Sequence, residues 1–129
     1  MDVKIHCFAR VKRQVKKSKH RVGDECPTVC KVLALNPHFG VVVPGHSPLR
    51  KMRVHLPKQN MGKSGGYRAV YICSVVDETM YCVILELYFK GDKTDLTQEE
   101  YEKALTEGQH ILLDVLKHPW DDGAFPSGS

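Results

Sequence analysis

The octapeptide LRKMRVHL, residues 49–56, alternates with a period of two. Met52, Val54 and Leu56 fall on one side and Lys51, Arg53 and His55 on the other, as in a β-strand whose successive side chains point to opposite faces of a sheet. A helix would scatter the same residues around its circumference. The middle of the chain therefore reads as a strand with an apolar core side and a strongly basic side, and the rest of the fold is organised around it.

Downstream, PKQNMGKSGG (57–66) reads as a flexible hairpin loop, and YRAVYICSVV (67–76) as a strand rich in β-branched and aromatic residues. Asp77-Glu78 is a two-residue turn into a further strand at 80–90. Such a turn pairs Cys73 with Cys82 across the hairpin. In the last strand Val83, Leu85, Leu87 and Phe89 are expected on one side and Ile84, Glu86 and Tyr88 on the other. Apolar residues on both sides place that strand inside the sheet rather than at its edge. Thr97 and Glu100 form a capping box. The helix they open carries Tyr101, Ala104, Leu105, Leu112, Val115 and Leu116 on one stripe, accommodates Gly108 at some cost, and ends before Pro119.

Upstream, VKIHCF (3–8) is a short strand, after which Phe8, Val11 and Val15 recur at helical spacing. A second helix begins near Asp24 with Pro27 in its first turn and runs through Val29, Val32 and Leu33 until Asn36-Pro37 stops it. GVVVPGHSP (40–48) is a turn-rich connection. The order is β-α-α-β-β-β-α, an α+β class with an antiparallel-dominated sheet packed against helices that lie largely on one side. We expect a single domain over 1–118 and a flexible tail over 119–129.

A chain of 129 residues, 42% hydrophobic and 26% charged, is sized and composed for one globular core. No apolar run approaches the ~18 residues of a membrane span, and MDVKIHCFARVKR lacks the apolar region of a secretory signal, so no membrane partner and a cytoplasmic location are expected. Five cysteines, an odd number, argue against a secreted disulfide framework. Cys26 and Cys30 lack further ligands at metal-site spacing, so we expect packed thiols and no metal. Charge is unevenly spread. Residues 26–76 hold seven Lys/Arg and no acid, whereas residues 77–129 hold four Lys/Arg and twelve acids. Arg50, Lys51, Arg53, Lys58, Lys63 and Arg68 in the acid-free segment point to a polyanion-binding surface, nucleic acid first. The plainer alternative is a solvated basic face.

Gly62-Lys63-Ser64 invites comparison with a nucleotide P-loop. That pattern needs a glycine five positions before Gly62, where Pro57 stands, and a helix after the Lys-Ser pair, where a strand follows. ATP or GTP binding is set aside and no cofactor is implied.

Three blocks in order, LNPHFGVVVPGHSPLRKMRV, GKSGGYRAVY and VILELYFKGDKTDLTQEEYEKAL, closely resemble the RelE/HigB branch of the RelE/ParE toxin superfamily, across residues 35–105. The resemblance implies a compact RelE-like fold. It also implies the toxin half of a bacterial type II toxin–antitoxin pair: a ribosome-dependent endoribonuclease, or mRNA interferase, that cuts mRNA in the decoding site through the adjacent ribose 2′-hydroxyl. A cognate antitoxin would silence it, with operator DNA held through the antitoxin, so the implied partners are antitoxin, ribosome and mRNA. Lys51 and Arg53 match the family's basic pair on the first hairpin strand and Arg68 the arginine of its Gly-Tyr-Arg motif. Lys90 and Lys93 lie where the family places further basic or aromatic site residues.

The chemistry can be argued independently of the resemblance. Metal-free cleavage needs a base for the 2′-proton, cations for the phosphorane and an acid for the 5′-oxygen. Arg68 suits phosphate stabilisation because its planar fork can grip two oxygens. Lys51, crowded by Arg50, Arg53 and Arg68, could have a lowered pKa and act as base. His55 shares its face and could serve as acid or base, or be structural. Arg50, Lys58 and Lys63 could contact RNA backbone, although Lys63 could equally be a solvated hairpin tip. Tyr67 and Tyr71 could stack bases or belong to the core. Two other functions stay open: a ParE-like inhibitor of DNA gyrase, and a ribosome- or RNA-binding module without catalysis.

Overall fold

The computed structural model describes residues 2–7, 11, 32–54, 67–89 and 95–117. Five strands, β1 (Asp2–Cys7), β2 (Val41–Val42), β3 (Arg50–Val54), β4 (Tyr67–Val76) and β5 (Thr79–Phe89), precede a long helix, α1 (Gln98–Lys117). They form one sheet in the order β1-β5-β4-β3-β2. β1 runs parallel to β5 and the other neighbours are antiparallel. The expected antiparallel-dominated α+β fold is therefore present, with β5 inside the sheet as its two-sided apolar pattern required. Two features were not read from the sequence: the parallel β1–β5 pairing, and the two-residue strand β2 within the connection at 40–48.

The β4–β5 hairpin turns on Asp77 and Glu78, both at positive φ (49° and 64°), as the two central residues of a tight turn matching the sheet's right-handed twist must be. Cys73 pairs with Cys82. Their Sγ atoms lie 2.8 Å apart as free thiols. Farther along, the register shifts between Val70 and Tyr71: Val70 pairs with Glu86 but Tyr71 pairs with Ile84, which leaves Leu85 as an extra residue in β5. A bulge of this kind reverses the alternation beyond it. It corrects the simple two-sided pattern expected for 83–89. Leu85 joins Val83 in the core under α1, whereas Glu86 and Tyr88 sit opposite Val70 and Arg68 and Leu87 sits opposite Ala69.

The capping box forms as expected: Glu100 N–H donates to Thr97 Oγ1 (3.1 Å) and Thr97 N–H to Glu100 Oε1 (2.9 Å). α1 lays Tyr101, Ala104 and Ile111 onto Val70, Ile72, Val83 and Leu85. Each large apolar side chain so buried stabilises the fold by about 2 kcal/mol. Gly108 lies at the closest approach, where a Cβ would come within 2.9 Å of Ile72 Cγ2 and Leu85 Cδ1.

Of the expected helical hairpin, only Val11 and residues 32–35 are among the described residues. All of them are helical, and Val11 and Leu33 are fully buried. The helical stretch ends at Asn36, whose N–H donates to Val32 O and whose Oδ1 accepts from His38 N–H. The loop at 57–66 and everything from residue 118 onward lie outside the described residues. Among those described, no helix is long and apolar enough to cross a membrane.

Candidate functional site

β3 and β4 place three cations on one face. Lys51 pairs with Val70, and Arg53 pairs with Arg68. Like charges directly opposite each other in an antiparallel ladder are destabilising. The neighbouring positions of β4, Ala69 and Val70, are apolar and fully buried. Arg68 is only 8% exposed. Burial, and then the charge of Arg53, lower its pKa below the usual arginine value, while Tyr88 opposes them. An arginine stays protonated under such shifts, so the fold holds a positive charge here that is largely shielded from solvent.

The cationic face is also the face on which α1 packs, so these residues do not look simply into solvent. Lys51 reaches the first turn of the helix. Its Nζ donates to Tyr101 Oη (3.2 Å) and lies 3.3 Å from Asp95 Oδ1. The Tyr101 hydroxyl donates to Asp95 through a short hydrogen bond, and His46 stacks on the Tyr101 ring with centroids 5.4 Å apart. Burial alone would raise the Asp95 pKa, but hydrogen bonds from Tyr101, the Leu96 N–H and Lys51 outweigh it and hold the carboxyl below the usual carboxylate range. Burial, with Asp95 adding to it, pushes the Tyr88 hydroxyl up to about 12. A cleft of about 260 Å³ opens beside the cations, lined by Lys51, Arg53 and Arg68 with Phe39, Gly40 and Val41 as neighbours. Among the described residues no three His, Cys, Asp or Glu side chains are grouped to hold a metal.

Other residues expected to contribute fall elsewhere. Arg50 takes the opposite face of β3, where its guanidinium donates to Gly40 O (2.7 Å) and His38 O (3.5 Å). It buttresses the backbone there and does not crowd Lys51. Tyr71 is fully buried and accepts the Gly40 N–H at 2.8 Å, which makes it a core residue with no face free for a base. His55, Lys58, Lys63, Lys90 and Lys93 lie outside the described residues, as does the side chain of Tyr67. Asp95, Tyr88 and His46 were missed. Asp95 had one local signal, an acidic residue two positions before the helix N-cap Thr97, but nothing in the sequence connects it to Lys51, 44 residues away.

No protein-family model matches the chain. Its structure is similar to that of a mutant of the E. coli toxin RelE in the free state, with a TM-score of 0.52 over 83% of this chain and 98% of that one, at 17% sequence identity. The chain has the RelE-like fold.

Proposed function

We propose that this chain with the RelE-like fold is the toxin of a type II toxin–antitoxin pair, a ribosome-dependent endoribonuclease that cuts mRNA by attack of a ribose 2′-hydroxyl on the adjacent phosphate. The observation that carries this reading is the cross-strand pair Arg53–Arg68 with Lys51 beside it: three cations lining one cleft. In-line attack builds negative charge on the two non-bridging oxygens. The Arg68 guanidinium neutralises that charge more strongly than water could, because it is already buried before the reaction begins, and the exposed Arg53 beside it adds to the positive field. Lys51 adds a third cation. His55, two residues beyond Arg53 in the sequence, is assigned the proton transfer. Lys58, Lys63, Lys90 and Lys93 are assigned to RNA backbone. The protein acts in the cytoplasm, and its antitoxin covers the cationic cleft, using acidic groups to neutralise it; operator DNA is contacted through the antitoxin.

Induced expression with mapping of reporter mRNA ends tests the reading. Wild type should produce new ends within the translated region, and Arg68→Ala should lower their yield ~100-fold or more, the usual effect of removing one preorganised charge-stabilising donor. Growth arrest with intact mRNA would instead favour gyrase inhibition or plain ribosome binding.

A further inference from the structure

The Lys51 ammonium is held by groups outside the β3–β4 hairpin. Asp95 Oδ1 receives three donors: Lys51 Nζ at 3.3 Å, the Leu96 N–H at 2.8 Å and the Tyr101 hydroxyl. Tyr101 Oη is itself 3.2 Å from Lys51 Nζ. Tyr101 is 3% exposed, anchored in the core by α1 and flanked by His46. The cluster therefore ties a flexible lysine to the rigid seam between helix and sheet. A lysine side chain carries about 2 kcal/mol of rotamer entropy. If it is ordered before substrate arrives, that loss does not fall on the reaction step.

We infer that Asp95 is a positioning residue that, together with Tyr101, fixes the Lys51 ammonium across the cleft from Arg68, where a phosphate of the bound RNA would lie between them. The inference rests on the nuclease reading for its RNA phosphate, but its geometric content is independent of that reading. A rival account makes Asp95 a mere competitor that occupies the anion's place. The two accounts predict opposite changes.

The test compares full-length wild type with Asp95→Asn, Asp95→Glu and Tyr101→Phe. Two readouts are used: cleavage of ribosome-bound mRNA, and the NMR signal of the 15N-labelled Lys51 ammonium. Positioning predicts a maximal rate lowered ~10–100-fold in Asp95→Asn, with little change in the half-saturating ribosome concentration. It also predicts partial recovery in Asp95→Glu, a smaller loss in Tyr101→Phe, and an ordered Lys51 signal in wild type that broadens away in Asp95→Asn. An unchanged rate, a half-saturating concentration that falls, or a Lys51 signal indifferent to Asp95 would overturn it. If wild type showed the ordered signal but left mRNA intact, the nuclease reading would fail, and the NMR comparison would still decide whether Asp95 positions Lys51.

Discussion

Arg53 and Arg68 face each other across β3 and β4, whereas Arg50, their neighbour in sequence, is turned to the other side and tied to backbone carbonyls. A few steps along a strand thus separate an arginine lining the cleft from one that braces the backbone. Tyr71 and Tyr88 divide in the same way. Tyr71 accepts the Gly40 N–H in the core, and burial pushes its pKa up to about 12, with smaller opposing and reinforcing effects from Gly40 and Cys73. Tyr71→Phe should lower unfolding free energy by about 1–3 kcal/mol, because a buried N–H loses its acceptor, yet leave the site chemistry intact; chemical denaturation beside a cleavage assay checks both halves. Asp95 carries a pH prediction. Its pKa is lowered from 3.8 on folding, so its contribution to stability is complete above that value and is lost as pH falls toward the folded-state pKa. Melting temperature below about pH 4 should therefore fall less steeply in Asp95→Asn than in wild type, and parallel acid limbs would contradict the assignment.

At the level of elements, alternation in 49–56 and the β-branched run at 67–76 sufficed to place β3 and β4, and Thr97-Glu100 to start α1, because each signal is local and each element obeys one period. The bulge at Leu85 was not legible. A register shift is a property of the pairing of β4 with β5, which the local pattern of β5 does not contain. The Lys51–Asp95–Tyr101 cluster escaped for a related reason: the loop before α1 and the helix's first turn meet β3 only in the assembled fold. Gly108 was read as a tolerated defect in α1, but the structure gives it a purpose, since it lets the helix approach Ile72 and Leu85. Gly108→Ala should therefore destabilise despite alanine's advantage of up to about 1 kcal/mol in helices, because overpacking at this seam costs about 1–3 kcal/mol. Equilibrium unfolding would show the net sign, and a gain in stability would mean the seam has slack.

Over the whole molecule, the acid-free segment 26–76 supplies β3 and β4 with their cations, while α1 brings Glu99, Glu100, Glu102, Glu107 and Asp114. The division favours binding of a polyanion at the β3 end of the sheet, with α1 meeting the cations at its first turn through Asp95 and Tyr101. If RNA phosphates bind at Lys51, Arg53 and Arg68, the logarithm of affinity for single-stranded RNA should fall with the logarithm of salt concentration. Each contact should contribute a slope of about −0.7. Filter binding across a salt series, with Arg68→Ala beside wild type, should show the slope become shallower by about that amount; equal slopes would remove Arg68 from the interface. The central claim, that these cations perform RNA cleavage on the ribosome, is tested most directly by primer-extension mapping of a translated reporter mRNA after induction of wild type and Arg68→Ala. The account predicts new cuts inside the translated region with wild type that disappear with the variant. Intact mRNA in wild-type cells that nevertheless stop growing would contradict it.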